Sequence, residues 1–272
     1  MTVVGTRPEV IRLSRVIPAI ARHMHHVLVH TGQNYDYELN EIFFNEFNLK
    51  KPDYCLKLDG ASASANIGQI LIQIEPILIK EAPDALLVLG DTNSCLAAYV
   101  AKRHKIPIFH MEAGNRCYDQ RVPEEINRKI IDHLADINLP YSDIAREYLL
   151  KEGLPADRII KTGSPMREVI EHYQHKIFTS TILKTLQLKA KEYFVVSVHR
   201  EENVDNPFQL FQLLKTLLCL EKKYQIPVIC SVHPRLKIKL QGLSSKWPKS
   251  IILHKPFGFF DYVNLEMNAK VV

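Results

Sequence analysis

The feature that most constrains the fold is a regular alternation of short runs rich in β-branched residues with longer stretches of helical period. The strand-like runs in the first part of the chain cover residues 2–5, 27–31, 85–90, 107–111, 136–139 and 159–162. Strands that alternate with helices pair in parallel, because each helical crossover returns the chain to the same end of the sheet. The pattern therefore predicts an α/β protein built on a parallel sheet.

A second series of strand-like runs predicts a second sheet, with runs at residues 193–198, 228–232, 251–253 and 271–272. The break at Gly163, Ser164 and Pro165 places a hinge near residues 165–180. We expect two doubly wound domains, at residues 1–168 and 169–272. Because the last run is not followed by a covering helix, and a βαβ unit takes about 30 residues or more, we expect the second domain to be incomplete and the chain to be truncated at its C-terminal end.

Composition excludes several classes of protein. With 46% hydrophobic and 24% charged residues, the 272-residue chain has the composition of an ordinary soluble globular protein. Its formal net charge of +5 is spread along the chain, which favours small anionic ligands and argues against nucleic acid as a partner.

The most apolar segment is interrupted by Gln73, Glu75 and Pro76, so no membrane span is predicted. The five cysteines form no CxxC pair and the N-terminus lacks a signal-peptide pattern, which indicates a cytoplasmic protein with free thiols.

The first strand leads directly into the turn Gly5-Thr6-Arg7-Pro8-Glu9. Pro8 suits the first turn of a helix, and a helix N-terminus that follows a parallel strand can bind an anion. Arg7 adds a permanently charged donor, and Arg12 lies at the edge of the apolar stripe predicted for this helix, formed by Val10, Leu13, Ile17 and Ile20. An ordinary strand-to-helix turn with a solvated arginine is the alternative.

Two carboxylates leave neighbouring strands at the same predicted edge of the sheet. Asp91 follows the apolar run 87–89, and Glu112 follows the run 107–111. Open α/β sheets bind their ligands outside the carboxyl ends of the strands. Asp91 and Glu112 are therefore candidate site residues, with the alternative that Asp91 only caps the next helix.

A helix beginning at Pro123 carries further candidates. Its apolar period predicts a core stripe of Ile126, Ile130, Ile131 and Leu134. That phase places Glu124, Asn127 and Arg128 beside the stripe and turns Glu125 and Lys129 to solvent. Glu124 and Arg128 can then pair at i,i+4 next to a pocket. An ordinary surface ion pair between Glu124 and Arg128 is the alternative.

In the second half, His199-Arg200 and the segment His233-Pro234-Arg235 each follow a strand-like run. Two such ends in succession predict a rim that faces phosphate, although a histidine or arginine at a single strand end is more often structural or solvated. The histidines lack metal-ligand spacing with a third ligand, so no catalytic metal is predicted.

Segments 5–9, 90–92, 110–114, 123–128 and 199–203, taken in this order, resemble the non-hydrolysing UDP-N-acetylglucosamine 2-epimerase family. The resemblance implies the GT-B architecture of two Rossmann-like domains around a cleft. It implies inversion at C2 of a UDP-2-acetamido sugar, through elimination of UDP and its re-addition, with no cofactor. It further implies a homodimer.

The resemblance also implies roles for individual residues. Asp91, Glu112 and Glu124 match the family's acid and base residues, whereas Arg7, Arg128 and His199 match its ligand-binding residues. Arg12 stands where the family usually has lysine. The family's later diphosphate-binding segment, rich in Ser, Gly and Thr, follows the strand at which this chain ends, and we expect weakened substrate binding without it.

The segment 110–123 is closer to a branch that converts UDP-2-acetamido-2,6-dideoxy-L-talose to UDP-N-acetyl-L-fucosamine. This resemblance implies a role in polysaccharide precursor synthesis, with UDP-N-acetylglucosamine and its manno epimer as the other candidate pair. Two alternatives stay open. One is a retaining glycosyltransferase of the same architecture, which would need an acceptor, and the other is a truncated fragment that binds a nucleotide sugar without catalysis.

Overall fold

The computed structural model describes residues 1–32, 37–60, 62–198, 207–232 and 248–272. The contacts divide the chain into two compact units, Met1–Glu171 and His172–Val272. The division and the predicted boundary after residue 168 both fall within the helix Met166–Phe178. Each unit is an α/β structure with a parallel sheet, which confirms the predicted fold class.

The first unit contains a six-stranded sheet in the order β3-β2-β1-β4-β5-β6, and the pairs are all parallel. Its strands are β1 (Thr2–Val4), β2 (Leu28–His30), β3 (Tyr54–Cys55), β4 (Leu86–Leu89), β5 (Ile108–Met111) and β6 (Ile137–Leu139). The chain reverses its direction of winding between β1 and β4. This is the topological switch point at which open α/β sheets bind ligands.

The helices of this unit are α1 (Arg7–Leu13), α2 (Val16–His23), α3 (Tyr37–Glu46), α4 (Ala63–Glu81), α5 (Ala97–Arg103), α6 (Pro123–Leu134) and α7 (Asp143–Lys151), with 3-10 turns at Asn93–Leu96 and Ala156–Arg158. Strand residues such as Val3, Val88 and Ile108 are buried among apolar side chains of α4 and α5. Each such side chain contributes about 1.5–3 kcal/mol on burial. The core thus holds the strand ends in a rigid frame.

The second unit contains a three-stranded parallel sheet, formed by β7 (Phe194–Val198), β8 (Val228–Val232) and β9 (Ile251–His254). Its helices are α8 (Met166–Phe178), which begins in the first unit, then α9 (Ile182–Thr185), α10 (Pro207–Tyr224) and α11 (Phe259–Asn268). Leu214 and Leu217 of α10 pack with Val228 in one apolar cluster, and Ile182 and Leu265 pack with Ile229 in another. The sheet is therefore covered by apolar side chains in two separate clusters.

Two strand predictions need correction. The run at 159–162 forms only an isolated bridge between Asn138 and Ile159, whereas the two-residue strand β3 was not predicted. A strand of two residues is too short to show an alternating pattern. Val271 likewise forms an isolated bridge, with Phe194.

Two helix predictions also need correction. The predicted first helix is divided into α1 and α2, with Val10, Leu13 and Ile17 buried and Ile20 only partly buried. In α6 the predicted stripe is wrong for Ile126 and Ile130, which are 54% and 40% exposed, whereas Ile131 is buried and Leu134 partly buried. The side of α6 that carries Glu125 is buried instead, and the Glu125 carboxylate accepts hydrogen bonds from backbone N–H groups of the preceding loop. Among the described residues, no helix is long and apolar enough to span a membrane.

Candidate active site

The turn between β1 and α1 is built around the carboxylate of Glu9. Thr6 is the N-cap of α1, and the Oε2 atom of Glu9 accepts hydrogen bonds from the backbone N–H groups of Gly5 and Thr6, at 2.8 and 2.6 Å. Its Oε1 atom accepts from the hydroxyl of Thr92, at 2.7 Å. Burial raises the pKa of Glu9, while the hydrogen bond from Thr92 and those from the turn lower it. Glu9 therefore joins the first turn to the turn that follows β4.

Gly5 allows this close approach. A Cβ atom at position 5 would lie 2.0 Å from the hydroxyl of Ser94 and 2.1 Å from that of Thr31, which bond each other at 2.8 Å. Only glycine fits between the two hydroxyls. Close packing at the switch point therefore explains the glycine of the Gly5-Thr6-Arg7-Pro8-Glu9 turn.

Glu112 follows β5 in a left-handed backbone conformation, with φ of 68°. This conformation is strained for a residue with a side chain. Its backbone N–H donates to the carbonyl of Leu139 at 3.1 Å, and its carboxylate forms an ion pair with Arg12 from the last turn of α1. An ideal Cβ placed on Gly90 would lie 3.6 Å from the Oε2 atom of Glu112. The carboxylate is therefore held over the end of β4.

The charges around Glu112 act on it in opposite directions. Burial raises the pKa of Glu112, Arg12 lowers it, and the nearby carboxylate of Asp91 raises it again. The side chains of Arg12 and Glu112 are 34% and 18% exposed. A partly buried carboxyl whose pKa is raised suits proton transfer near neutral pH.

Asp91 follows β4 and pairs with Arg128 of α6, whose Nε atom lies 2.6 Å from Oδ2 of Asp91. The side chain of Asn127 donates to the Asp91 carbonyl at 2.9 Å. The helical turn that follows is capped by Thr92, which accepts from the N–H of Ser94 at 3.3 Å. The alternative in which Asp91 only caps a helix is therefore wrong, and α6 is tied directly to the end of β4.

Glu125 is buried, in contrast to the predicted exposure. Its carboxylate accepts from the backbone N–H groups of Cys117 and Tyr118, each at 3.1 Å, and from Arg128 at 3.0 Å. Burial by itself raises the pKa of Glu125, but these hydrogen bonds outweigh it and lower the pKa to about 2. Arg128 thus bridges Asp91 and Glu125 in place of its predicted partner, Glu124. Glu124 is exposed at the start of α6.

Behind this edge lies a set of ionisable side chains, here called the interior cluster, which comprises the buried His110, Arg116 and Asp132 and the partly buried Glu152. Asp132 lies 2.9 Å from Nδ1 of His110 and 2.7 Å from Arg116, and it also accepts from the N–H of Gly114. Arg116 forms two hydrogen bonds with Glu152, at 2.8 and 2.6 Å. The other ring nitrogen of His110 lies 3.0 Å from the carbonyl of Gly90. The cluster connects the ends of β4 and β5 with α6 and α7.

Among the predicted site residues, the structure brings together Arg12, Asp91, Glu112 and Arg128, here called the rim cluster. Arg7 lies 6.0 Å from the ring centroid of Phe43. His199, Arg200 and His233 fall outside the described residues. Within the parts of the chain that are described, no group of three or more histidine, cysteine or acidic side chains could hold a metal ion.

The sequence interpretation missed several residues that shape the site. In its local sequence each of them looks like an ordinary polar residue. Its role shows only in contacts with distant parts of the chain. They are Glu9 as a link between two turns, and His110, Glu125, Asp132 and Tyr141.

Comparison with known proteins identifies the family. A sequence model described as UDP-N-acetylglucosamine 2-epimerase matches residues 19–272. The UDP-N-acetylglucosamine 2-epimerase of Methanocaldococcus jannaschii is 34% identical over 285 residues, covering 99% of this chain and 76% of the relative. A UDP-2,3-diacetamido-2,3-dideoxy-D-glucuronate 2-epimerase of Pseudomonas aeruginosa is 33% identical, covering 100% of this chain and 76% of the relative.

Comparison with solved structures indicates the same family. The chain matches the UDP-N-acetylglucosamine 2-epimerase of Rickettsia bellii with a TM-score of 0.90 and 50% identity, over 100% of this chain and 72% of the other. It matches the Methanocaldococcus jannaschii enzyme, solved in complex with UDP-GlcNAc and UDP, with a TM-score of 0.90 and 33% identity, over 99% and 77%. These neighbours have the predicted GT-B type of fold. With the family's sequence pattern across nearly its whole length and the fold of its solved members, this chain belongs to the UDP-N-acetylglucosamine 2-epimerase family and is an isomerase of that type.

Proposed function

We propose that the protein inverts C2 of a UDP-2-acetamido sugar by eliminating UDP and adding it back after the proton at C2 has changed face. The observation that carries this proposal is the rim cluster. Two carboxylates, Asp91 and Glu112, lie at the switch point of the sheet, and each is paired with an arginine. Membership in a family of C2 epimerases supports it.

The reaction needs both acids and cations. The proton at C2 is poorly acidic, so cleavage of the C1–O bond leads and the electron pair of that bond leaves with UDP. Loss of the C2 proton to a carboxylate then completes a 2-acetamidoglycal. Return of a proton to the other face of C2, with addition of a UDP oxygen at C1, gives the epimer. Fixed cations stabilise the departing diphosphate, and this electrostatic term is usually the largest in such a reaction.

We assign the proton transfers to Asp91, Glu112 and Glu124. The raised pKa of Glu112, caused by burial, allows this group to both accept and return a proton. Glu124 is exposed at the start of α6, next to Glu125, whose hydrogen bonds fix that end of the helix. Carboxylates from separate elements suit a reaction that uses both faces of C2.

We assign the binding of the UDP moiety to Arg7, Arg12 and Arg128 in the first unit. Arg12 and Arg128 each engage a carboxylate, but a guanidinium has five N–H donors and both side chains are partly exposed. Donors of the Arg12 and Arg128 side chains therefore stay free for a phosphate. His199, Arg200 and His233 complete this assignment from the sequence pattern alone.

Two substrate pairs fit the proposal. They are UDP-N-acetylglucosamine with its manno epimer, and UDP-2-acetamido-2,6-dideoxy-L-talose with UDP-N-acetyl-L-fucosamine. The neighbour from Methanocaldococcus jannaschii was solved with UDP-GlcNAc and UDP, and the Pseudomonas aeruginosa relative is named for a diacetamido glucuronate. The 2-acetamido group is common to these sugars. We further propose that the protein acts as a cytoplasmic homodimer.

Proton NMR in deuterium oxide tests the proposal. The purified protein is incubated with UDP-N-acetylglucosamine or the 6-deoxy-L-talo sugar, without any acceptor. We expect deuterium to enter C2 of one sugar as its epimer forms, and we expect Asp91→Asn, Glu112→Gln and Glu124→Gln each to slow the exchange about 100-fold or more. Glu147→Gln, at an exposed position of α7, is the matched control.

The absence of exchange from both sugars, in a protein shown to be folded, would contradict the proposed activity. Near-normal exchange in all three acid variants would contradict the residue assignments instead. Turnover that requires an added acceptor would favour the glycosyltransferase alternative.

A further inference from the structure

Tyr141 lies two residues beyond β6, at the edge of the sheet that carries Asp91 and Glu112. The ends of β5 and β6 are joined by the hydrogen bond from the N–H of Glu112 to the carbonyl of Leu139. Tyr141 therefore follows the strand immediately beside Glu112. It was not among the residues that the sequence motifs indicated.

The hydroxyl of Tyr141 is buried and has no hydrogen-bond partner among the described residues. Burying a hydroxyl without a partner costs free energy, on the order of 1–3 kcal/mol. Buried tyrosine hydroxyls usually find a partner, and a buried polar group without one requires an explanation, such as a functional role or a bound water or ion. A ligand acceptor at this position would remove the cost.

The surroundings give the hydroxyl its chemical character. Burial raises the pKa of Tyr141, the charge of Glu112 raises it further, and the charge of Arg12 lowers it. The phenol therefore keeps its proton and acts as a hydrogen-bond donor at neutral pH. The two side chains whose charges act on it form the ion pair at the centre of the rim cluster.

We propose that Tyr141 donates a hydrogen bond from its hydroxyl to the carbonyl oxygen of the 2-acetamido group of the UDP-sugar, and so determines specificity for 2-acetamido substrates. This inference rests on the proposed function, because it assumes that C2 of the sugar lies within reach of Glu112. A carboxylate that exchanges a proton with C2 is close to the substituent on C2. Tyr141 follows the adjacent strand end and is a neutral donor, whereas the amide carbonyl is a neutral acceptor.

The affinities of two proteins for three ligands test the inference. The dissociation constants of UDP-N-acetylglucosamine, UDP-glucose and UDP are measured by calorimetry for the wild type and for Tyr141→Phe. UDP-glucose has a hydroxyl in place of the acetamido group. We expect about a tenfold loss of affinity for UDP-N-acetylglucosamine, the size of one hydrogen bond, with little change for UDP-glucose and UDP.

Thermal unfolding without ligand separates this role from a structural one. A structural hydroxyl would lower the melting temperature when removed, whereas removal of an unpaired hydroxyl leaves it unchanged or raises it. Tyr99→Phe, on the exposed face of α5, is the matched control and should change neither the affinities nor the melting temperature.

Three results would overturn the inference. They are an unchanged affinity of Tyr141→Phe for UDP-N-acetylglucosamine, an equal loss for all three ligands, and a wild type that does not prefer UDP-N-acetylglucosamine to UDP-glucose. These binding measurements do not need turnover. A wild type that passes them but shows no exchange at C2 would contradict the proposed function while leaving the Tyr141 contact in place.

Discussion

The interior cluster and the rim cluster are both made of paired charges, and both take a side chain from the end of β5. The central ion pair of each cluster differs in its access to water. The Arg116 and Asp132 side chains are fully buried, whereas Arg12 in the rim cluster is 34% exposed. Asp132 is saturated by Arg116, the N–H of Gly114 and the close contact with His110.

The comparison shows how one strand can serve two purposes. His110 and Glu112 are two residues apart, yet His110 joins the saturated interior cluster and Glu112 the accessible rim cluster. A buried and saturated network holds geometry and has no capacity left for a ligand. The groups of the rim cluster still reach solvent, which the proposed proton transfer and anion binding both require. We therefore expect interior substitutions to affect stability and rim substitutions to affect turnover.

The largest effect is expected from Asp132→Asn. The substitution removes the fully buried one of the two carboxylates that pair with Arg116, and breaking one side of a buried ion pair costs about 3–5 kcal/mol. Urea unfolding measures the loss. Asp143→Asn, which breaks the exposed pair with Lys161, is the control and should cost less than about 1 kcal/mol. Equal losses in the two variants would break the distinction between the clusters.

Glu112→Gln should lower activity strongly and stability only slightly. We expect the rate of C2 exchange to fall about 100-fold or more, while the free energy of unfolding changes by less than about 1 kcal/mol, because the pair with Arg12 is partly exposed. Exchange by NMR and urea unfolding are measured on the same preparation. A variant that loses stability as much as activity would show that Glu112 belongs functionally with the interior cluster.

The smallest of the expected effects is a shift in the pH profile of Arg12→Gln, apart from the loss of UDP affinity that the assignment of Arg12 implies. Burial raises the pKa of Glu112 and Arg12 lowers it, so removing the cation raises this pKa further. Asp91, His110 and Arg128 also act on Glu112 and are unchanged in the variant. Activity that needs the ionised carboxylate is lost as the pH falls through its pKa, so the acid limb of kcat/KM should move to higher pH.

Arg12→Lys keeps the positive charge and is the control for that pH profile. Its acid limb should stay close to that of the wild type. A limb that does not move in Arg12→Gln would mean that another group sets it.

Much of the site could be predicted because parallel strands end at one edge. Asp91 and Glu112 follow buried apolar runs, so their meeting at that edge follows from the α/β pattern alone. The orientation of α6 could not be predicted in this way. Its apolar residues indicated a core stripe, but Ile126 is exposed and Glu125 is buried. The carboxylate of Glu125 is held by backbone N–H groups from a loop, and local periodicity contains no information on such contacts.

The sequence by itself determined the fold class, the strands β1, β2 and β4–β9, the resemblance to the epimerase family and the two acids at the switch point. These follow from local patterns of hydrophobicity and from short motifs. Only the tertiary structure decided that Arg12 pairs with Glu112, that Arg128 bridges Asp91 and Glu125, and that the hydroxyl of Tyr141 is buried without a partner. The physical reason is that ion pairs and buried hydroxyls depend on which side chains folding brings within a few ångströms, and these side chains are often far apart in sequence.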